Sequence, residues 1–187
     1  TEQLGYLQLP LFASALVGLI VAPIISEHIG KKWAAICTTS LWVIISPMPL
    51  LLRFLNFFPE NSSDLLLPLL MLFAFLETTL AIMSGIFFAA MFADLVEDSQ
   101  VTTNRRSEGL YYSASSFSQK ALNSLGVLAA GQILAFVEFP EGAIPGEVPI
   151  ETINDLAYIT VSSVGVILFA AITSLFYYQI SRSSHNE

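Results

Sequence analysis

Residues 92–126, FADLVEDSQVTTNRRSEGLYYSASSFSQKALNSLG, hold almost all the polar chemistry of an otherwise apolar chain. They leave one apolar segment, cross a short polar loop and enter a second apolar segment whose one Lys or Arg is Lys120. With a helix starting near Gly109, Lys120 lies eleven residues in, roughly 16 Å at 1.5 Å per residue. That is about half of a ~30 Å hydrocarbon core. An unpaired lysine there costs about 2.5–3.5 kcal/mol, so we predict that it faces a bundle interior or a water-filled path and has a functional role.

The polar neighbours of Lys120 share one face of this predicted helix. Ser113, Ser116, Asn123 and Ser124 lie three, four or seven residues from it, which are the spacings of a single helical face. We predict that these residues line a cavity. Tight helix–helix packing is the alternative, because small and hydroxyl residues on membrane helices usually serve that purpose.

The composition is typical of an integral membrane protein. Of 187 residues, 55% are hydrophobic and 12% are charged, and the mean hydropathy is +0.70. A soluble domain is about 45–50% apolar and about 25% charged. The apolar residues form five runs, each as long as the ~20 residues that cross a bilayer as a helix. We therefore predict an all-α membrane protein with five transmembrane helices, at about residues 6–26, 33–55, 65–95, 110–139 and 156–180.

Positive charges are shared unequally between the two sides of the predicted membrane. One side has only Arg53, whereas the other has five residues. Those five are Lys31, Lys32, Arg105, Arg106 and Arg182. The predicted loop of residues 138–155 has no Lys or Arg and carries five acids. The positive-inside rule then places the N-terminus outside and the C-terminus in the cytoplasm, and we expect a bacterial inner (plasma) membrane.

A second charge, Glu77, interrupts the third predicted span. It lies twelve residues past Leu65, roughly 18 Å by helical rise and therefore near mid-depth. Acids at such positions are rare and usually face the interior, so we predict a transport or coupling role. The alternative is a protonated glutamate that is hydrogen-bonded within the bundle. Its partner could be Lys120 on the next antiparallel helix, or a residue outside this chain.

Other classes of function receive little support from the sequence. The single cysteine, Cys37, excludes an internal disulfide framework. No metal-ligand spacing and no hydrolase or protease motif is present, so we predict neither a cofactor nor an enzyme. The chain starts at Thr1 rather than Met and has an odd number of predicted spans, which leads us to expect a fragment of a longer protein.

The sequence resembles the glycoside–pentoside–hexuronide:cation symporters of the major facilitator superfamily, of which melibiose permease is the best-known member. FADLVEDSQ, NRRSEGLYYSASSFSQK and SLG are similar to the connection between helices ten and eleven of that family. The family pattern is an Ala-Asp pair, a second acid, a basic residue followed by E-G or E-S, an S-x-x-x-F-type run and a lysine. It falls on Ala93-Asp94, Glu97 or Asp98, Arg106, Glu108-Gly109, Ser113 to Phe117, and Lys120. In addition, residues 26–32, SEHIGKK, resemble the loop between helices eight and nine of the superfamily.

The resemblance implies that the chain forms helices eight to twelve of a twelve-helix transporter whose N-terminal half is missing here. Such transporters couple solute entry to Na⁺, H⁺ or Li⁺ by alternating access, as two six-helix halves rock about a midplane site. The implied partners are a sugar or related small solute, a monovalent cation and the lipid bilayer, without nucleic acid. Lys120 would have a coupling role beside carboxylates of the missing half. The implied cytoplasmic gate consists of Glu27, Lys31, Lys32, Asp94, Glu97, Asp98, Arg105, Arg106 and Glu108.

Two further functions stay open at this point. A non-transporting membrane scaffold or assembly subunit would account for the packing serines, but not for Lys120 and Glu77 inside apolar runs. A lipid-type solute carrier of the same superfamily is also compatible. At Glu97-Asp98-Ser99 the symporters often have an aspartate followed by tyrosine and glycine, and relatives with the same signature move lipids or unknown solutes.

Overall fold

The computed structural model describes residue 5 and residues 8–60, 63–105, 107–144 and 147–176. Within these residues the chain is helical, with no strand, which confirms the predicted all-α class. The helices are α1 (Gln8–Ile29), α2 (Lys31–Ile45), α3 (Met48–Phe54), α4 (Leu66–Thr103), α5 (Glu108–Phe136) and α6 (Ile150–Phe176).

Four segments of the described chain are long and apolar enough to cross a membrane. They are Gln8–Ile29, Lys31–Phe54, Leu66–Thr103 and Ile150–Ser174. The fourth predicted span corresponds to α5, whose 29 residues are about 43 Å long and so exceed a ~30 Å core. Its first half contains four serines, Gln119 and Lys120. Because of these polar residues, α5 is not apolar enough to be counted with the four segments that could cross a membrane.

The chain divides into two compact units. One comprises the chain up to Leu95 together with the segment from Gly165 onwards, and the other is Val96–Val164. The first unit contains a core in which small residues of α1 and α2 face large residues of α4. Its buried members are Ala22, Ala34, Ala35, Ile36, Met83, Phe87 and Met91. Alanine allows close approach of the helix backbones, while Met and Phe fill the space between them.

Two features of α1 explain its tight packing on its neighbours. Pro10, Ser14, Gly18 and Ala22 recur every four residues and are buried, so they form a small-residue stripe. Ser14 Oγ lies 3.0 Å from the carbonyl oxygen of Phe75 in α4. A single residue, Gly30, then joins α1 to α2 with φ 79° and ψ 156°. Those angles are essentially restricted to glycine.

The second predicted span consists of two helices rather than one. The polypeptide turns at Ser46 and Pro47, and α3 begins at Met48. Proline has no backbone N–H and its ring clashes with the preceding turn, which interrupts a helix. After α3, Asn56 adopts φ 58°, and the Phe57 N–H donates to the Leu52 carbonyl at 2.9 Å. This bond closes a Schellman cap.

The polar loop between the third and fourth predicted spans is shorter than we predicted. α4 continues through Glu97 and Asp98 as far as Thr103, so these two acids lie on a helix and not in a loop. Val96 in this extension is buried, and the Thr102 hydroxyl donates to the Asp98 carbonyl at 2.8 Å. A helix of 38 residues is about 57 Å long and can extend well beyond a ~30 Å core.

The acidic loop after α5 is also shorter than predicted. α5 ends at Phe136, and the Phe139 N–H donates to the Leu134 carbonyl at 3.0 Å, while Glu138 adopts φ 51°. α6 begins at Ile150, so Glu151 and Asp155 belong to its first turns rather than to the loop. Glu151, in the first turn, interacts favourably with the helix dipole.

Candidate functional site

Polar side chains connect α2 to α4 at three levels along the two helices. At one end Lys31 meets Asp94, in the middle Thr38 and Thr39 meet Ser84, and at the other end Ser46 meets Glu77. As the residue numbers on α2 increase, the residue numbers of their partners on α4 decrease, so the two helices are antiparallel. The spacing on α2 is seven to eight residues, or two helical turns. These seven residues form a polar seam between α4 and one face of α2 and its C-cap.

The ion pair of the seam joins the two segments on which the family resemblance rests. Lys31 Nζ lies 2.6 Å and 2.7 Å from the two carboxylate oxygens of Asp94. The two side chains are 27% and 35% exposed. Bonds from an ammonium to a carboxylate are among the strong hydrogen bonds of proteins. The pair therefore links the start of α2, directly after Gly30, to the C-terminal part of α4.

Three hydroxyl groups form the middle of the seam. The Thr39 hydroxyl donates to Ser84 Oγ at 3.3 Å, Ser84 donates to Thr38 Oγ1 at 3.0 Å, and Thr38 donates to the Ala34 carbonyl at 2.9 Å. All three side chains are buried. Every hydroxyl has an acceptor, so this group connects the helices without the free-energy penalty of an unsatisfied polar group.

Glu77 occupies the far end of the seam and is half-buried. The Ser46 hydroxyl donates to Glu77 Oε1 at 2.9 Å. Ser46 is located where α2 ends, before Pro47. The Pro47 break therefore provides a hydroxyl group beside a carboxylate within an apolar segment. The predicted pairing of Glu77 with Lys120 stays a prediction, because the two residues belong to different compact units.

Lys120 lies near the centre of α5. It is twelve residues from Glu108 and sixteen from Phe136, roughly 18 Å and 24 Å along the helix axis. The helix starts one residue before the expected start at Gly109. Lys120 is exposed, as are all four predicted cavity-lining residues. Those four are Ser113, Ser116, Asn123 and Ser124.

The serines of this face bond to their own helix. The Ser113 hydroxyl donates to the Leu110 carbonyl and the Ser124 hydroxyl to the Lys120 carbonyl, each at 2.9 Å. Such bonds satisfy the hydroxyl proton while one lone pair of each oxygen is available to another group. The Tyr111 hydroxyl donates to Ser99 Oγ at 2.9 Å, which links the start of α5 to α4 within the second compact unit.

The remaining predicted gate residues lie around the ends of α1, α2, α4 and α5. Glu27, Glu97 and Arg105 are exposed, whereas Lys32, Asp98 and Glu108 are half-buried. Arg106 lies outside the described residues. Of the nine predicted gate residues, the structure brings Lys31 and Asp94 together as an ion pair. Among the described residues no group of three or more His, Cys, Asp or Glu side chains could hold a metal ion.

Sequence reasoning did not identify Ser46, Thr38 and Thr39 as partners of α4. The signal was present, because Lys31, Thr38, Thr39 and Ser46 recur at seven- to eight-residue spacing in an otherwise apolar segment. That period is typical of a helix face that packs against a second helix. Ser84 of α4 is 2% exposed and bonds to both threonines.

Long apolar helices and a polar seam inside them are the properties of a polytopic membrane protein with internal polar chemistry. The chain belongs to the MFS/sugar transport protein family, whose model matches residues 2–182. It is therefore an integral membrane protein and a transporter of the major facilitator superfamily. No curated protein and no solved structure matches the chain.

Proposed function

We propose that this chain is part of a cation-coupled symporter for a sugar or related small solute, in which it forms helices eight to twelve. The proposal combines membership of the MFS/sugar transport protein family with the resemblance of residues 92–126 to the glycoside–pentoside–hexuronide:cation symporters. The observation that carries it is Lys120, an ammonium group near the middle of a 29-residue helix. Na⁺ or H⁺ is the coupling ion under this proposal.

A charge at that position favours coupling over simple packing. A lysine near the bilayer centre costs about 2.5–3.5 kcal/mol by insertion scales unless it has a partner. Among the described residues of its own compact unit, no carboxylate lies within ion-pair distance of Lys120. The resemblance supplies carboxylates from the other half of the transporter. Lys120 would then hold or release that cluster as the coupling cation leaves or binds.

Glu77 is the second coupling residue in this proposal. It lies seventeen residues before Asp94 on α4, or about 26 Å along the helix. If the Lys31–Asp94 pair is near the cytoplasmic surface, Glu77 lies in the outer part of a ~30 Å core rather than at mid-depth. Its bond to Ser46 supports a role as an internal carboxylate that exchanges partners during the cycle.

The gate would lie at the opposite end of the seam, on the cytoplasmic side of a bacterial inner membrane. The Lys31–Asp94 ion pair at that end of the seam supports this proposal. Lys32, Glu97, Asp98 and Arg105 occupy the neighbouring helix ends, where residues of the other half could pair with them in one state only. Single exposed pairs contribute about 0–1 kcal/mol. Several together can bias a two-state equilibrium towards one side.

Substitution of Lys120 tests the proposal. Uptake of radiolabelled melibiose, glucose and xylose is measured in vesicles containing the intact protein, with and without Na⁺ and with and without a proton gradient. Lys120→Ala should abolish cation-stimulated uptake because the carboxylate cluster loses its counter-charge, while membrane abundance stays near normal. Gln119→Ala, at the exposed neighbouring position, is the matched control and should transport normally.

The outcomes separate the candidate functions. Cation-stimulated uptake that survives in Lys120→Ala would contradict the coupling role. If the unchanged protein takes up none of the three sugars but moves a lysolipid between leaflets, the sugar assignment is wrong and the lipid-type carrier is correct.

A further inference from the structure

Trp42 has a buried polar atom without a partner in the described part of the chain. Its indole Nε1 is shielded from solvent, and no described residue offers an acceptor within hydrogen-bond distance. An indole N–H is a donor only. A buried donor without an acceptor typically costs about 1–3 kcal/mol. In a segment where the neighbouring hydroxyls are satisfied, this donor requires an explanation.

The position of Trp42 indicates which group it serves. Thr38, Thr39 and Ser46 all bond to side chains of α4. Trp42 lies between them on α2, three or four residues from each, and therefore on the same face of the helix. One turn separates it from Ser46, the donor to Glu77. Trp42 is thus part of the face that packs against α4, near the level of the carboxylate.

Glu77 has capacity for another donor. An ionised carboxylate can accept about four hydrogen bonds, and among the described residues Ser46 is the one donor to Glu77. α1 has no charged residue between Gln8 and Ser26, and the first charge beyond Ser46 is Arg53, whose Nη1 bonds to the Pro59 carbonyl.

We propose that Trp42 is a reserve hydrogen-bond donor for Glu77, which its indole N–H binds when the coupling cation has left the carboxylate. Among the described residues Ser46 is the one donor to Glu77, and with a cation or proton on the carboxylate no second donor is needed. Once the carboxylate is bare, it can accept a second donor, and Trp42 offers a buried N–H without an acceptor one turn from Ser46 on the same face of α2. Trp42 is then a positioning residue for the coupling site. The inference rests on the proposed function, because it assumes that Glu77 exchanges a cation.

The test is a double-substitution cycle in vesicles containing the intact protein. Trp42→Phe keeps an aromatic ring and removes the N–H. The bare carboxylate then loses a stabilising donor, so it binds the cation more tightly. The Na⁺ or H⁺ concentration at half-maximal melibiose uptake should fall roughly ten- to a hundredfold, the factor that corresponds to one hydrogen bond to a charged group. At saturating cation the sugar KM should stay unchanged.

Two controls separate a donor role from a packing role. Trp33→Phe removes the other indole of α2, which is exposed, and should leave the cation dependence unchanged. In a Glu77→Gln background, where the carboxylate is absent, Trp42→Phe should cause no further change. If Trp42→Phe changes the cation dependence equally in the Glu77 protein and in the Glu77→Gln background, the inference is overturned, because a packing defect does not depend on the carboxylate.

Failure of the inference can be distinguished from failure of the proposed function. If Glu77→Gln alters the cation dependence and Trp42→Phe does not, Glu77 is a coupling residue and Trp42 is not its donor. If the unchanged protein shows no cation-stimulated uptake, both proposals are wrong. As an independent readout, the indole N–H resonance of Trp42, identified by its loss in Trp42→Phe, should shift on removal of the cation in the unchanged protein but not in Glu77→Gln.

Discussion

Removal of the Lys31–Asp94 ion pair should destabilise the first compact unit by an intermediate amount. The Nζ–oxygen distances are 2.6 Å and 2.7 Å, and the side chains are 27% and 35% exposed. Exposed pairs contribute about 0–1 kcal/mol, whereas removal of one partner of a fully buried pair costs about 3–5 kcal/mol. With burial between these limits, we expect a coupling energy of about 1–2 kcal/mol.

The assay is a double-mutant cycle on thermal unfolding. Lys31→Met, Asp94→Asn and the double variant are purified in detergent, and the loss of helical circular dichroism on heating is followed. Each single variant should unfold at a lower temperature, and the double variant should be less destabilised than the sum of the two. The charge-reversed pair, Lys31→Asp with Asp94→Lys, should recover part of the loss because the opposite charges are restored.

Strict additivity would refute this reasoning. If the effects of the two single substitutions add to within about 0.3–0.5 kcal/mol, the side chains do not interact energetically, despite the short distances. A coupling that disappears at moderate salt would show that the pair is solvent-screened like a surface pair. A coupling that persists at high salt would support the partly buried geometry.

Two further predictions concern backbone and packing at glycines of the first unit. Gly30→Ala should destabilise the protein by about 1–3 kcal/mol, because φ 79° and ψ 156° strain any residue that has a side chain. The added Cβ would have no neighbour within 4 Å among the described residues, so backbone strain is the one expected cause. A gain or no change in thermal stability would contradict the strain argument. Gly18→Leu should lower the unfolding temperature through steric conflict with α4, because a Cβ at Gly18 would already lie 3.0 Å from Ile82 Cγ2. Gly85→Leu, where no atom lies within 4 Å, is the matched control, and equal losses at both positions would show that packing against Ile82 is not the cause.

The ends of helices were harder to predict than their existence. We placed Glu97 and Asp98 in a loop because charge usually marks the end of a membrane span. α4 continues past them, since helix formation needs only backbone bonds and tolerates acids once the helix has left the hydrocarbon. For the same reason α6 begins before Glu151 rather than after it.

The sequence by itself determined that this is a membrane protein and which of its helices carry charge. Runs of apolar residues identify the membrane-spanning segments, and the fixed rise per residue of a helix gives the depth of each position within them. The position of Lys120 within its apolar segment therefore followed from counting, and α5 begins within one residue of the expected start.

Only the tertiary structure decided which polar groups meet. Lys31 contacts Asp94 at a sequence separation of 63 residues, and Ser46 contacts Glu77 at a separation of 31 residues. Such contacts depend on the rotation and register of one helix against another, which arise from packing of both surfaces at once. The sequence of either helix alone does not contain that information. The Ser46 hydroxyl and the buried indole of Trp42 became visible as partners for a coupling site only when α2 was seen against α4.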